Sequence, residues 1–129
     1  MRWLVDGMNV IGSRPDGWWR DRQAAMHRLV DQLERWAAER SDPVTVVFEG
    51  PPSATIECRA VEVAHAPRAR PDAADDEILR RVEADPQPED IRVVTSDRRL
   101  AERVRAAGAL ACPAGPFRAL LDGRGRPSP

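Results

Sequence analysis

Carboxylates stand at the ends of apolar runs in this chain, and their placement points to one shared site. Arg2-Trp-Leu-Val-Asp6 is a short buried run that stops at an acid, and Ile91-Arg-Val-Val-Thr95 runs into Ser96-Asp97 in the same way. Between them, Asp72, Asp75 and Asp76 crowd the start of a helical pattern. Like charges gathered from distant positions repel, and each raises the pKa of its neighbours unless a cation intervenes. Mg²⁺ or Mn²⁺ takes oxygen ligands and often uses only a few carboxylates plus water. Such a site activates water and neutralises charge on a phosphodiester during in-line displacement. Asn9 adds an amide that can point back to the same place as Asp6, and Gly7 lets the chain turn sharply between them.

Each acid also has a plainer explanation to set beside that chemistry. Asp72, Asp75 and Asp76 complement a helix macrodipole whatever the function, with Asp72 in the N-cap position. Asp97 can cap the helix that starts at Arg98. Asp6 is harder to explain this way, because it follows Trp3, Leu4 and Val5 directly into a half-buried turn. A parallel sheet would bring Asp6 and Asp97 to the same edge, since all its strands point the same way.

The elements that must position these acids alternate between strand and helix. After the opening strand, residues 12–19 read as a loop whose Trp18 and Trp19 either stack on unpaired bases or staple the loop to the next helix. Apolar Ala25, Leu29, Leu33, Trp36 and Ala37 recur at helical spacing from Arg20 to Arg40, and Ser41-Asp42-Pro43 stops that helix. Val44 to Phe48 is a β-branched strand ending at Glu49, another acid just past a strand. Val61 to His65 alternates like an edge strand. Pro67 to Pro71 is an Arg-rich loop holding Arg68 and Arg70. The helix after Asp72 buries Ile78, Leu79 and Val82 and closes at Pro86 and Pro88. Leu100 and Val104 face inward on the helix from Arg98 to Ala107, and Gly108 stops it. A short last strand over 109–112 and a helical turn from Phe117 to Leu121 follow. This alternation predicts a parallel α/β sheet with helices on both faces. Residues 1–122 are expected to form one domain and 123–129 a frayed tail.

Composition narrows the function classes. The 129 residues carry a net charge of −1, so no overall basic signal marks a nucleic-acid binder. All 20 Lys or Arg positions are Arg, which makes any phosphate contact an Arg contact and excludes mechanisms that need a lysine. Cys58 and Cys112 lie far apart without a CxxC, so neither a zinc site nor a disulfide framework is suggested. His27 and His65 have no partner motif. No apolar run approaches a membrane span and the opening residues lack a signal-peptide pattern, so a reducing cytoplasm is the expected compartment. Ser13 and Ser96 lack the glycine-flanked elbow of a serine hydrolase, and no Walker A or dinucleotide fingerprint is present.

Four of these stretches together carry a resemblance. Asp6-Gly-Met-Asn9-Val-Ile-Gly, Val-Val-Phe48-Glu-Gly, Asp72-Ala-Ala-Asp75-Asp76 and Val-Val-Thr95-Ser96-Asp97 resemble the NYN domain, a branch of the PIN-like ribonucleases, and within it the YacP-like bacterial endoribonucleases. The resemblance spans about residues 2 to 121. It implies a three-layer α/β/α PIN-like fold with a central, mainly parallel sheet of four or five strands, and divalent-metal-dependent cleavage of RNA. By position it implies Asp6, Asp75 and Asp97 as metal-binding acids, with Asn9 and Ser96 in support and Asp72 and Asp76 as further ligands or water-orienting groups. Two positions depart from the family pattern: Met8 replaces an aromatic, and Glu49 stands where Asp is frequent.

The leading expectation is therefore an endoribonuclease that hydrolyses RNA with a metal-activated water, its site built from Asp6, Asn9, Asp75, Asp76 and Asp97. Arg68, Arg70, Arg98 and Arg99 are the candidates for holding the flanking backbone, with Ser96. The alternative is a non-catalytic RNA-binding or adaptor module with the same shell. A phosphate-accepting receiver domain also gathers acids at strand ends, but the lysine that it uses is missing. The sequence does not choose among RNAs, ribosome-associated mRNA included, nor does it set an oligomeric state.

Overall fold

The computed structural model describes residues 1–52, 56, 58–67 and 72–123. Five strands form one sheet: β1 (Arg2–Asp6), β2 (Val44–Phe48), β3 (Val61–His65), β4 (Ile91–Val94) and β5 (Leu110–Cys112). Their order is β3-β2-β1-β4-β5, and every adjacent pair is parallel. The helices are α1 (Gly7–Ile11), α2 (Arg22–Arg40), α3 (Ala73–Ala84), α4 (Arg98–Ala106) and α5 (Ala114–Leu121). The expected α/β/α layering is what the chain adopts, with β3 at one edge as its alternating pattern predicts.

Two apolar layers explain why both sheet faces are covered. Side chains alternate along β1, so Trp3 and Val5 enter one layer while Leu4 enters the other. The first layer packs α1, α2 and α5, through Leu29, Leu33, Trp36 and Phe117, onto the sheet. Trp3 meets Trp36 edge-on at 5.0 Å and lies 5.6 Å from Phe117, a ring cluster that adds directional packing to the buried area. The second layer packs α3 and α4 through Ile78, Leu79, Val82, Leu100 and Val104. Leu33 is fully buried, and truncating such a residue to alanine costs about 2–5 kcal/mol. No helix among the described residues is long and apolar enough to cross a membrane.

Local structure differs from the sequence reading in two places, after Asp6 and at Asp72, and at Trp18 it has the packing of the staple alternative. The segment after Asp6 is a short helix rather than an open turn. Gly7 is required there by a close approach, because a Cβ on it would lie 2.5 Å from Phe48 Cε1. Asp72 occupies the N-cap position of α3 but makes no capping hydrogen bond; its φ of 62° and ψ of 11° are left-handed, whereas a capping residue is normally extended. Trp18 packs half-buried against the first layer, while Trp19 is 50% exposed and meets Trp18 edge-on. The Arg-rich loop with Arg68 and Arg70, and the tail beyond Gly123, lie outside the described residues.

Candidate active site

Strand order dictates where ligand-facing groups can gather. The chain leaves β1 toward β2 on one side and comes back to β4 on the other, so the order reverses between β1 and β4. Open α/β sheets leave a crevice at such a reversal, beyond the C-terminal ends of the strands. Asp6 is the last residue of β1, and Val5 pairs with Val94, which puts Thr95, Ser96 and Asp97 beside it. The two acids separated by 91 positions thus meet at one rim.

One hydroxyl joins them. Thr95 Oγ1 donates to Asp6 Oδ2 at 3.0 Å and accepts from the Asp97 backbone N–H at 3.1 Å. Asp97 Oδ1 accepts from the Leu100 N–H at 3.0 Å, so this acid does cap α4 as its position suggests. Asn9, on α1, reaches over the same loop: its Oδ1 accepts from the Ser96 N–H at 2.7 Å. Ser96 Oγ accepts in turn from the Ala114 N–H at 2.8 Å, which ties the loop to the first residue of α5.

The electrostatics identify the third acid. Burial drives the Asp6 carboxyl up from 3.8 to about 7, and the charge on Asp75 pushes the same way; the Thr95 hydroxyl and the Asn9 backbone N–H oppose this, and Asp97 adds a smaller push. Asp75, half-buried in the first turn of α3, rises to about 6 through burial and then the charges of Asp97, Asp72, Asp76 and Glu49. Of the three acids at the start of α3, Asp75 is the one whose charge acts on Asp6. Asp72 and Asp76 are exposed and act on Asp75.

These donors fit a hard divalent cation by type and charge, since all are carboxylate oxygens crowded against their own repulsion. They do not make a closed cage. Among the described residues no three His, Cys, Asp or Glu side chains come close enough together to hold an ion as they stand. An open arrangement of that kind suits Mg²⁺, which keeps several waters and takes one or two carboxylates directly. Arg98 lies exposed at the start of α4, next to Asp97.

Two buried polar groups escaped the sequence reading, one at the site and one apart from it. Thr95 reads there only as the last residue of a strand, and nothing local signals that its hydroxyl serves Asp6. Glu77 looks like an ordinary helix acid, yet it is buried to 5% exposure and bonded by both Arg80 and Arg81.

A parallel sheet of this order, layered on both faces and with acids at its reversal, defines an α/β fold of the PIN-like class. The chain belongs to the YacP-like NYN domain family, whose model matches residues 3–125, and so to the PIN-like nuclease superfamily. The fold is similar to that of Rae1 (YacP) from Bacillus subtilis, with a TM-score of 0.77 at 23% identity over 96% of this chain and 75% of that one. The W164L mutant of the same protein gives 0.75 at 24% identity, covering 96% and 76%. No curated protein gives a significant match.

Proposed function

We propose that this chain is a divalent-metal-dependent endoribonuclease. The observation that carries the reading is the convergence of Asp6, Asp75 and Asp97, from β1, α3 and the loop after β4, at the sheet's reversal point, where the charges of Asp75 and Asp97 raise Asp6 and that of Asp97 raises Asp75. Such an arrangement costs folding free energy unless a cation offsets it. Membership of a nuclease family supports RNA as the substrate class.

Asp6, Asp75 and Asp97 would hold Mg²⁺ or Mn²⁺, with Asp76 at the periphery. When bound, the ion would activate water and neutralise charge on the scissile phosphate. The chain's own groups hold the acids ready for it. Thr95 fixes one oxygen of Asp6 and the backbone of Asp97, and the Leu100 N–H of α4 fixes one oxygen of Asp97. Asn9 holds the loop that carries Ser96 and Asp97. Arg98, and Arg68 and Arg70 by position, are the groups that would grip the flanking backbone.

Cleavage of single-stranded RNA in Mn²⁺, compared between the native chain and Asp6→Asn, tests this. Loss of cleavage with an unchanged circular dichroism spectrum is expected, and undiminished metal-dependent cleavage by the variant overturns the assignment. The second reading is a non-catalytic RNA-binding or adaptor module with the same PIN-like shell. Calorimetry separates the two, because an adaptor would bind no Mn²⁺ near millimolar concentration.

A further inference from the structure

Next to the acids, between α4 and β5, the surface opens into a recess of about 370 Å³. Thr95, Ser96 and Asp97 form part of its lining, so it is continuous with the acid rim. Arg98 and Arg105 line it from α4, seven residues apart and therefore on one face of the helix. Cys112 and Pro113, at the end of β5, contribute its less polar side. The volume is within the range of small-ligand sites.

Among the described residues some arginines of the fold are held in ion pairs, whereas those of this recess, like others on the surface, are not. Arg2 is paired with Asp85, Arg14 with Asp122, Arg80 and Arg81 with Glu77, and Arg118 with Asp16. Among the described residues neither Arg98 nor Arg105 takes part in an ion pair, although Glu102 lies within about a turn of both on the same helix. A guanidinium left open this way keeps its fork of donors for a phosphate. The α4 segment itself holds four Arg and one Glu, in a chain whose net charge is −1.

We propose that this recess is a nucleotide subsite: it receives one nucleotide of a single-stranded RNA next to the phosphate at the acids, with Arg105 and Arg98 on that nucleotide's phosphate and the Cys112–Pro113 side against its base and sugar. The inference rests on the endoribonuclease reading and adds a position to it. Arg105 is the residue that separates this subsite from a generally basic surface. Arg103 is equally exposed and equally without an ion pair among the described residues, but it does not line the recess.

The test uses the full chain carrying Asp6→Asn, so that a labelled single-stranded RNA stays intact while its binding is followed by fluorescence anisotropy across a salt series. Arg105→Ala sits on an exposed helix surface where alanine is a good helix former, so the fold should hold. It is expected to weaken binding about tenfold and to reduce the slope of log affinity against log salt by about 0.7. Arg103→Ala is expected to leave both unchanged. Equal losses in the two variants, or no loss in Arg105→Ala, overturn the subsite while RNA cleavage by the native chain keeps the endoribonuclease reading in place. If the native chain cleaves no RNA and the Asp6→Asn chain binds none, both readings fall together.

Discussion

Thr95 Oγ1 lies 3.0 Å from Asp6 Oδ2, a buried contact between residues 89 apart that ties the two side chains where the parallel pairing of β1 and β4 ends. Its second bond, from the Asp97 N–H, makes one hydroxyl the support for two acids. Thr95→Val keeps the shape and removes both bonds. Leaving the buried partners unsatisfied should cost about 1–3 kcal/mol in urea unfolding. Cleavage should fall about 10–100-fold, the usual effect of losing a group that orients metal ligands. Thr95→Ser should recover most of the rate. A serine variant as poor as valine would show that the methyl group, not the hydroxyl, matters.

On the proposed endoribonuclease reading, Asp6 makes activity and metal-free stability pull in opposite directions. Its folded pKa, about 7, is above its ordinary 3.8, so the folded chain keeps a proton that the unfolded chain has lost. Stability from this group is therefore greatest in acid, falls as pH rises from about 4 to 7, and stays low beyond. In EDTA at pH 8, Asp6→Asn should be roughly 2–4 kcal/mol more stable than the native chain while being inactive. Denaturation curves that coincide at pH 5 and at pH 8 would contradict this.

Glu77 gives the opposite slope. The Arg80 hydrogen bonds, with those from Arg81, hold its carboxyl at about 2, well below the usual 4.5. Its contribution is complete above pH 4.5 and is lost as pH falls toward 2. Glu77→Gln should cost about 1–3 kcal/mol at pH 7 and flatten the acid limb of a stability–pH curve. An acid limb of unchanged steepness would place the acid sensitivity elsewhere.

Gly7 is set by a ring rather than by a turn. A Cβ there would sit 2.5 Å from Phe48 Cε1 and 2.7 Å from Cδ1. Gly7→Ala should destabilise the fold by about 1–3 kcal/mol through overpacking. It should also lower cleavage, because Asp6 precedes it. Adding Phe48→Leu should restore part of the loss, and a double variant no better than the sum of the single ones would rule out the ring as the cause.

The strands were legible because β1, β2 and β4 are apolar runs with a sharp polar end, and parallel order then puts Asp6 and Asp97 on one rim. What could not be read locally are contacts that depend on the distant partner. The hydroxyl of Thr95 and the missing Cβ of Gly7 acquire meaning only from Asp6 and Phe48. Five residues of α1 are too few for a helical period to show. Asp72 looks like a cap by residue type, but its left-handed backbone takes the carboxylate out of that role. The residues alone do not separate Asp75 from Asp72 and Asp76; the family resemblance singles it out, and α3 set against the sheet leaves Asp75 half-buried and its neighbours exposed.

At the far edge of the sheet, Glu34 of α2 accepts hydrogen bonds from the Arg59, Ala60 and Val61 amides, at 2.6 to 3.1 Å. Three consecutive donors held by one carboxylate fix the first residue of β3 from the helix behind it. That outer strand is thereby held twice, by the helix layer at its first residue and by its parallel ladder with β2 along its length, so its far end stays in place where the sheet opens toward its acids.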